Sequence, residues 1–281
     1  MKNGIIDIGS NSVRLLFGGK KYMNNTQLAE NLIHTGTLCK QATERTAAAI
    51  KEFYEFCMDN GAERVYAFAT EAVRAAKNGR DFVREVERIG VSVEVLSSET
   101  EAKCGFCGAY SGKGIEGILD IGGASSELAV GDAKGLLYAH SLPLGSVRLK
   151  DYAPDASVQA EYAAIRVKEY GEVPKFDKLV AIGGTLSQIV AVMKELEPYD
   201  SERVHGTVLT REDVKKTTEM ILSVPTEERI NIKGLHPKKL LVAPAGGVLA
   251  LAIMDYLGAE TLTVSENDNL EGYAKIKGIE I

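Results

Sequence analysis

The sequence has few cysteines and histidines and no surplus of positive charge. Four cysteines in 281 residues are too few and too irregularly spaced for a disulfide framework, so we expect free thiols in a reducing compartment. The net charge of −6 argues against a general nucleic-acid binder, although a local positive groove stays compatible with it. The four histidines lack metal-ligand spacing, the CxxC at residues 104–107 stands alone, and no P-loop sequence is present.

Long apolar segments are also missing. The most apolar uncharged run, residues 240–254, is shorter than the roughly 20 residues that a membrane span needs, and Pro244, Gly246 and Gly247 interrupt it. It predicts a buried helix instead. The opening residues, MKNGIIDIG, contain no apolar segment typical of a secretion signal. We therefore predict a cytoplasmic protein that binds neither membrane nor nucleic acid.

Two fifteen-residue stretches of the chain are near copies of each other. GIIDIGSNSVRLLFG spans residues 4–18, GILDIGGASSELAVG spans residues 117–131, and they are identical at eight of fifteen positions. In both, an apolar strand carries an aspartate near its end, and a glycine-containing turn leads into a second strand, which predicts a β-hairpin. Because polar residues such as Asp7 and Asp120 match in register, we interpret the repeat as an internal duplication.

The repeated turn has the composition of a phosphate-binding loop. Small residues let backbone N–H groups approach a ligand, and successive N–H groups of this kind bind phosphate oxygens. An aspartate beside phosphate needs a divalent cation between them, so Asp7 and Asp120 predict a metal-bridged phosphate chain held by both turns. For either aspartate alone, a strand-end carboxylate that accepts turn N–H bonds is the alternative. The predicted phosphate-binding residues, which include a weaker third glycine turn at the start of a helix, are Gly9, Ser10, Asn11, Ser12, Gly122, Gly123, Ala124, Ser125, Gly183 and Gly184.

The rest of the chain alternates predicted strands and helices, which is typical of an α/β fold with mixed sheets. Residues 111–114, SGKG, form a flexible stretch. We therefore predict a first domain over residues 1–115 and a second over 116–281, with the terminal helix packing back on the first as an option. Residues 21–37 are predicted to form a polar loop.

Eight segments carry a family resemblance that covers nearly the whole chain. They are IDIGSNSVRL (6–15), ATEAVRAAKN (69–78), SSETEA (97–102), LDIGGASSEL (119–128), SLPLGSVRL (141–149), IGGT (182–185), PAGGVLALAIMDYLG (244–258) and VSENDNLEGY (264–273). In order and spacing they resemble the exopolyphosphatase / guanosine pentaphosphate phosphatase family, from the fold group of actin, sugar kinases and heat-shock ATPases. The resemblance implies two similar ribonuclease H-like domains, with mixed sheets flanked by helices and a cleft between them. It also implies Mg²⁺-assisted release of terminal phosphate, by water, from polyphosphate or guanosine pentaphosphate in that cleft.

The resemblance assigns roles to five charged residues. Glu101 matches the family's general base, and Arg74 matches an arginine that faces phosphate. Asp7, Asp120 and Glu127 match the carboxylates around the cation. These are the parts that phosphoryl transfer needs, since it depends on positioning and charge neutralisation.

Two of the charged candidates have plain structural alternatives. Glu101 has the spacing of a helix capping box with Ser98, although we favour the catalytic role that the resemblance implies. A carboxylate base needs a raised pKa, and we expect Asp120 and Glu127 to contribute charge for this. Arg148 is a further candidate cation for the cleft, with a helix-surface arginine as an equal alternative.

Three departures from the family pattern bear on the substrate. Ser98 stands where the family has glycine and Thr100 where it has an acid. Residues 24–31 contain Glu30 and no Lys or Arg, where the family has a basic segment, so long polyphosphate becomes less certain as a substrate. An ATP-dependent small-molecule kinase and a non-catalytic sensor of a nucleotide alarmone are the alternative functions. A homodimer is the default oligomeric expectation.

Overall fold

The computed structural model describes residues 2–281, whose contacts group into two units. The first unit runs to Gly108 and also includes Asn269–Ile281, and the second unit is Ala109–Asp268. The sequence predicts a boundary after residue 115 and a terminal helix that belongs to the second domain, with packing onto the first as an option. In the structure that helix lies in the first unit.

A five-stranded mixed sheet forms the first unit. Its strands are β1 (Asn3–Ile8), β2 (Ser12–Phe17), β3 (Lys20–Asn25), β4 (Arg64–Ala69) and β5 (Val93–Val95), in the spatial order β3-β2-β1-β4-β5. The strands β1, β2 and β3 form an antiparallel meander, and β4 and β5 continue the sheet in parallel from β1. All six residues of β1 are buried, as expected for a central strand covered on both faces.

Helices cover both faces of this sheet. They are α1 (Leu32–Thr35), α2 (Lys40–Asp59), α3 (Glu71–Ala75), α4 (Gly79–Glu87) and α5 (Ser98–Ala109), together with the last helix of the chain, Asn269–Lys277. One face packs Ile6, Ile8 and Val13 against α2 and α4 residues. The other packs Ile5 and Phe68 against α5 and the last helix. Since side chains alternate along a strand, neighbouring residues of β1 supply both cores.

A six-stranded mixed sheet forms the second unit. Its strands are β6 (Glu116–Ile121), β7 (Ser126–Asp132), β8 (Gly135–Leu142), β9 (Lys178–Ile182), β10 (Val208–Thr210) and β11 (Thr261–Val264), in the order β10-β11-β9-β6-β7-β8. Without the edge strand β10, the remaining five strands repeat the order and directions of the first sheet. This shared topology supports the internal duplication.

The helices of the second unit surround its sheet. They are α6 (Ser146–Tyr152), α7 (Ala156–Arg166), α8 (Gly184–Met193), α9 (Ser201–Val204), α10 (Arg211–Ser223) and α11 (Val242–Leu257), and the terminal helix of the first unit becomes α12 (Asn269–Lys277). Nearly all residues of α11 from Ala243 to Ala250 are buried, which confirms the buried helix predicted for the apolar run. None of the helices within residues 2–281 is long and apolar enough to cross a membrane.

Two local predictions are wrong. Residues 21–37 are not a loop throughout, because β3 and α1 occupy much of them, and β3 was missed since its sequence, KKYMNN, lacks the apolar alternation of a half-buried strand. Ser98 does not cap the next helix. It is the first residue of α5, and the preceding Ser97 accepts the Thr100 N–H bond with its Oγ at 3.1 Å.

Candidate functional site

The turn of the first hairpin has two backbone N–H groups that donate to no acceptor among residues 2–281. Gly9 N–H donates to Ser12 O at 3.0 Å and closes the turn between β1 and β2. The carbonyls of Ser10 and Asn11 accept bonds from the backbone of residues 26–29. Within the described part of the chain, the N–H groups of Ser10 and Asn11 donate to no protein acceptor. The turn is therefore fixed through its carbonyls while two adjacent donors stay available for an anion.

The second hairpin repeats this arrangement. Gly122 N–H donates to Ser125 O at 3.0 Å, and the first residues of α6 donate to the carbonyls of Gly122 and Gly123. The N–H groups of Gly123 and Ala124 find no acceptor among residues 2–281. A Cβ on Gly145, just before α6, would lie 2.5 Å from Gly123 O, so only glycine allows α6 to pack this closely on the turn.

The carboxylate of the first hairpin forms an ion pair. Asp7 is 3% exposed and lies opposite Arg14 in the register of β1 and β2. Arg14 Nε donates to Asp7 Oδ2 at 3.0 Å, and Nη2 of the same guanidinium contacts the same oxygen. Arg14 was missed in the sequence analysis. The signal was available, because residues 7 and 14 are equally far from the turn and therefore face each other in a hairpin.

The corresponding pair in the second hairpin consists of two carboxylates. Asp120 lies opposite Glu127 in the register of β6 and β7, and Glu127 is 4% exposed. Ser141 on β8 donates its hydroxyl to Glu127 Oε1 at 2.6 Å. Burial raises the pKa of the nearby Tyr170 hydroxyl, and the charges of Glu127 and Asp120 add to the increase. This end of the second sheet therefore has a negative potential that suits a cation.

The third glycine turn lies against the second hairpin. Gly183 has φ +80°, and a Cβ on it would collide with Asp120 Oδ1. The hydroxyl of Thr185 donates to Ile121 O at 2.7 Å and links the start of α8 to the end of β6. Lys239 Nζ donates to Gly184 O at 2.8 Å, a contact with no signal in the sequence. The structure thus brings Asp120, Glu127 and the Gly183-Gly184 turn together within the second unit.

Glu101 and Arg74 meet in the first unit. Glu101, in the first turn of α5, is 5% exposed, and its Oε2 accepts a bond from Arg74 Nη1 at 2.9 Å. Arg74 Nη1 also donates to Leu96 O at 2.6 Å, and Nη2 donates to Glu71 Oε2 at 2.7 Å. Burial disfavours the charged guanidinium, but the charges and hydrogen bonds of Glu101 and Glu71 outweigh this and raise the pKa of Arg74. Arg74 is thus an orienting partner of the predicted base.

Arg148, predicted as a candidate cation, helps to fix the second turn. Its backbone N–H donates to Gly123 O at 3.0 Å, which helps fix the second turn. Its Nη1 donates to Pro143 O at 2.8 Å. A direct role for its side chain in phosphate binding stays a prediction.

A complete metal centre is not formed by protein side chains alone. Among residues 2–281, no three His, Cys, Asp or Glu side chains are grouped closely enough to hold a metal ion. Asp120 and Glu127 nevertheless fit the needs of a divalent cation, since two hard oxygen donors face each other and Mg²⁺ usually completes its shell with water and substrate phosphates.

Two mixed sheets with matching glycine-turn hairpins define an α/β protein built from an internal duplication. Residues 6–274 match the Ppx/GppA phosphatase family, and the chain belongs to that family. The predicted family and the predicted fold class of two mixed sheets flanked by helices are thereby confirmed.

The chain is similar to several named proteins. It is 29% identical to a bifunctional 3-dehydroquinate synthase/phosphatase of Fusobacterium nucleatum, over 98% of this chain and 46% of the relative. It is 25% identical to exopolyphosphatase 2 of Mycobacterium tuberculosis, over 96% of each chain. A guanosine-5'-triphosphate,3'-diphosphate pyrophosphatase of Aeromonas hydrophila is 27% identical, over 95% of this chain and 57% of the relative. The chain therefore spans about half the length of the first and last of these relatives.

A solved structure gives the same result at the level of the backbone. The Ppx/GppA family member of Aquifex aeolicus is 29% identical and superposes with a TM-score of 0.80, over 99% of this chain and 98% of that one. This similarity covers both sheets and both glycine-turn hairpins.

Proposed function

We propose that this protein releases the terminal phosphate of a phosphate chain by hydrolysis, with guanosine pentaphosphate or inorganic polyphosphate as substrate. The observation that carries the proposal is the pair of equivalent turns, each with two adjacent N–H groups that have no protein acceptor in the described residues. Backbone N–H groups of this kind bind phosphate oxygens at little cost, because the turn is already in the binding conformation. Each of these turns binds phosphate oxygens in this proposal, and the Gly183-Gly184 turn adds further donors within the second unit.

Glu101 is the general base in this mechanism. Its carboxylate accepts a proton from the attacking water, and Arg74 fixes its orientation through the 2.9 Å bond. Beyond its bonds to Leu96, Glu101 and Glu71, Arg74 has an Nε–H and a second Nη2–H, so it donates to phosphate oxygen while it holds the base. The guanidinium therefore serves both the base and the phosphate.

The proposed cofactor is Mg²⁺ or another divalent cation, held by Asp120 and Glu127. A bound cation of this kind neutralises charge on the phosphate oxygens and the leaving group. Asp7, the third predicted ligand, is paired with Arg14. We propose that this ion pair fixes the first turn while the two carboxylates of the second hairpin hold the cation.

The substrate is proposed to be a short phosphate chain. Residues 26–29 lie directly on the first turn, and the neighbouring Arg45 binds Thr26 O at 2.8 Å and Glu30 at 3.3 Å. This side of the turn offers little positive charge to a long polyanion. Guanosine pentaphosphate or short polyphosphate therefore fits better than long polyphosphate. The cytoplasmic location and the homodimer stay predictions.

The proposal is tested by phosphate release from guanosine pentaphosphate and from polyphosphates of defined length, with and without Mg²⁺. Glu101→Gln should lower kcat at least about a hundredfold, because it removes the base. Glu99→Gln, an exposed glutamate in the same helical turn, is the matched control and should keep wild-type kcat. Equal activity in wild type and Glu101→Gln would remove Glu101 from the mechanism. Tight binding without turnover in wild type would favour the alarmone sensor.

A further inference from the structure

The side chain of Glu71 is tied to the proposed base through a single guanidinium. Glu71 begins α3, directly after β4, and its Oε2 accepts the Arg74 Nη2 bond at 2.7 Å. The same guanidinium reaches Glu101 Oε2 at 2.9 Å and Leu96 O at 2.6 Å through Nη1. Three acceptors on three separate segments therefore determine the orientation of one planar group.

This ion pair differs from an ordinary surface salt bridge. The side chains of Glu71, Arg74 and Glu101 are 15%, 21% and 7% exposed, so water competes weakly for their hydrogen bonds. Without the Glu71 bond, the guanidinium could rotate about its Nη1 contacts. Since a guanidinium is planar, rotation at one end moves the donors at the other.

We propose that Glu71 is a positioning residue for the reaction: it holds Arg74 in the orientation in which Arg74 binds both Glu101 and the substrate phosphate. This inference rests on the proposed function. In this inference Glu71 acts through its hydrogen bond to Arg74. Replacing Glu71 is therefore expected to slow the chemical step more than it weakens substrate binding.

The test compares three substitutions at one position. Glu71→Ala should lower kcat roughly tenfold and change KM less than about twofold. Without this charge-assisted hydrogen bond, Arg74 no longer holds the Glu101 carboxylate in one orientation. Glu71→Gln keeps an oxygen that accepts the Nη2 bond, so it should recover most of the lost kcat. Glu71→Leu fills the space without an acceptor and should behave like Ala. A packing role would instead give Leu near wild type and Gln no special recovery, and this result would overturn the proposal.

A double-mutant cycle separates this inference from the proposed function. In a Glu101→Gln background, Glu71→Ala should lower kcat by a clearly smaller factor than in wild type, because the part of its effect that passes through Glu101 is lost. Full additivity of the two substitutions would refute the coupling. If Glu101→Gln alone keeps wild-type kcat, the proposed function fails. If Glu101→Gln is inactive but Glu71→Ala has normal kcat, only the positioning role fails. Glu87→Gln on α4 of the same unit serves as the control substitution and should leave kcat unchanged.

Discussion

The two hairpins share a backbone and differ in one cross-strand pair. In the first, Asp7 faces Arg14 and the charges neutralise each other. In the second, Asp120 faces Glu127 and two negative charges lie side by side. Two negative charges that face each other across a strand pair repel, and a cation between them removes this repulsion. The duplication has thus kept the same glycine turn in both copies, while the cross-strand charges differ in a way that suits a cation at the second copy.

The largest expected effect comes from giving the second hairpin the charges of the first. Glu127→Arg should reduce phosphate release at least about a hundredfold, because the guanidinium competes with the divalent cation. The measurement is initial rate against Mg²⁺ concentration. Asp132→Arg, at the other end of β7, is the control and should retain activity. Unchanged Mg²⁺ dependence in Glu127→Arg would place the cation away from the second hairpin.

The reverse experiment breaks the neutral pair of the first hairpin. Arg14→Gln leaves the buried Asp7 carboxylate without its guanidinium partner, so the free energy of unfolding should fall by about 3–5 kcal/mol. Glu127→Gln removes one of two neighbouring negative charges and should leave stability unchanged or increased in the absence of metal. Urea unfolding with EDTA measures both. A similar loss in both variants would mean that the hairpins do not differ electrostatically.

A smaller effect is expected from the glycine beside Asp120. Gly183→Ala forces a Cβ into the Asp120 carboxylate at φ +80° and should cost about 1–3 kcal/mol of stability. Gly206→Ala is a matched control in the same unit, because its φ is +75° and nothing lies within 4 Å of the added Cβ. The collision with Asp120 adds to the backbone strain of Gly183→Ala, so this variant should lose more stability than Gly206→Ala. Equal losses of stability would show that backbone strain explains the whole effect.

The smallest effect concerns alkaline pH and the first unit, which contains every cysteine of the chain. Burial raises the pKa of Cys57 to about 11 and that of Cys104 to about 12, from an ordinary value of 9.0. Unfolded thiols ionise first, so their contribution to stability is complete below pH 9 and is lost as pH rises toward 11–12. Unfolding midpoints between pH 8 and pH 10.5 should fall less steeply in a Cys57→Ala/Cys104→Ala variant. An identical slope in both proteins would contradict this assignment.

Much of the fold could be predicted because it depends on local sequence patterns. The hairpins, the buried helix and the alternation of strands and helices follow from residue periodicity and glycine positions. The strand β3 was not predicted, because this edge strand buries few side chains and therefore lacks an apolar pattern. The helix cap was predicted at Ser98 and lies at Ser97. Both serines carry a hydroxyl that can cap a helix, and only the backbone geometry shows which one does.

The sequence predicted candidate site residues but not the contacts between them. The motifs indicated Asp7, Asp120, Glu127, Arg74 and Glu101. That Arg74 would bind Glu101 across 27 positions depends on how α3 and α5 pack beside β4, which no local pattern records. Contacts such as Lys239 with Gly184 depend equally on tertiary packing.

The close packing of α12 on α5 has a consequence for how the chain folds. A Cβ on Gly272 would overlap the carbonyl of Cys104, so these helices touch through their backbones, and Lys275 Nζ also donates to Cys107 O at 2.8 Å. During synthesis the first sheet emerges early, yet the helix that covers Ile5 and Phe68 follows the entire second unit. At ordinary translation rates, roughly ten seconds or more pass between the synthesis of that apolar face and the synthesis of α12. The amino-terminal unit is thus the first to begin folding, and it completes its core only after α12 has been synthesised.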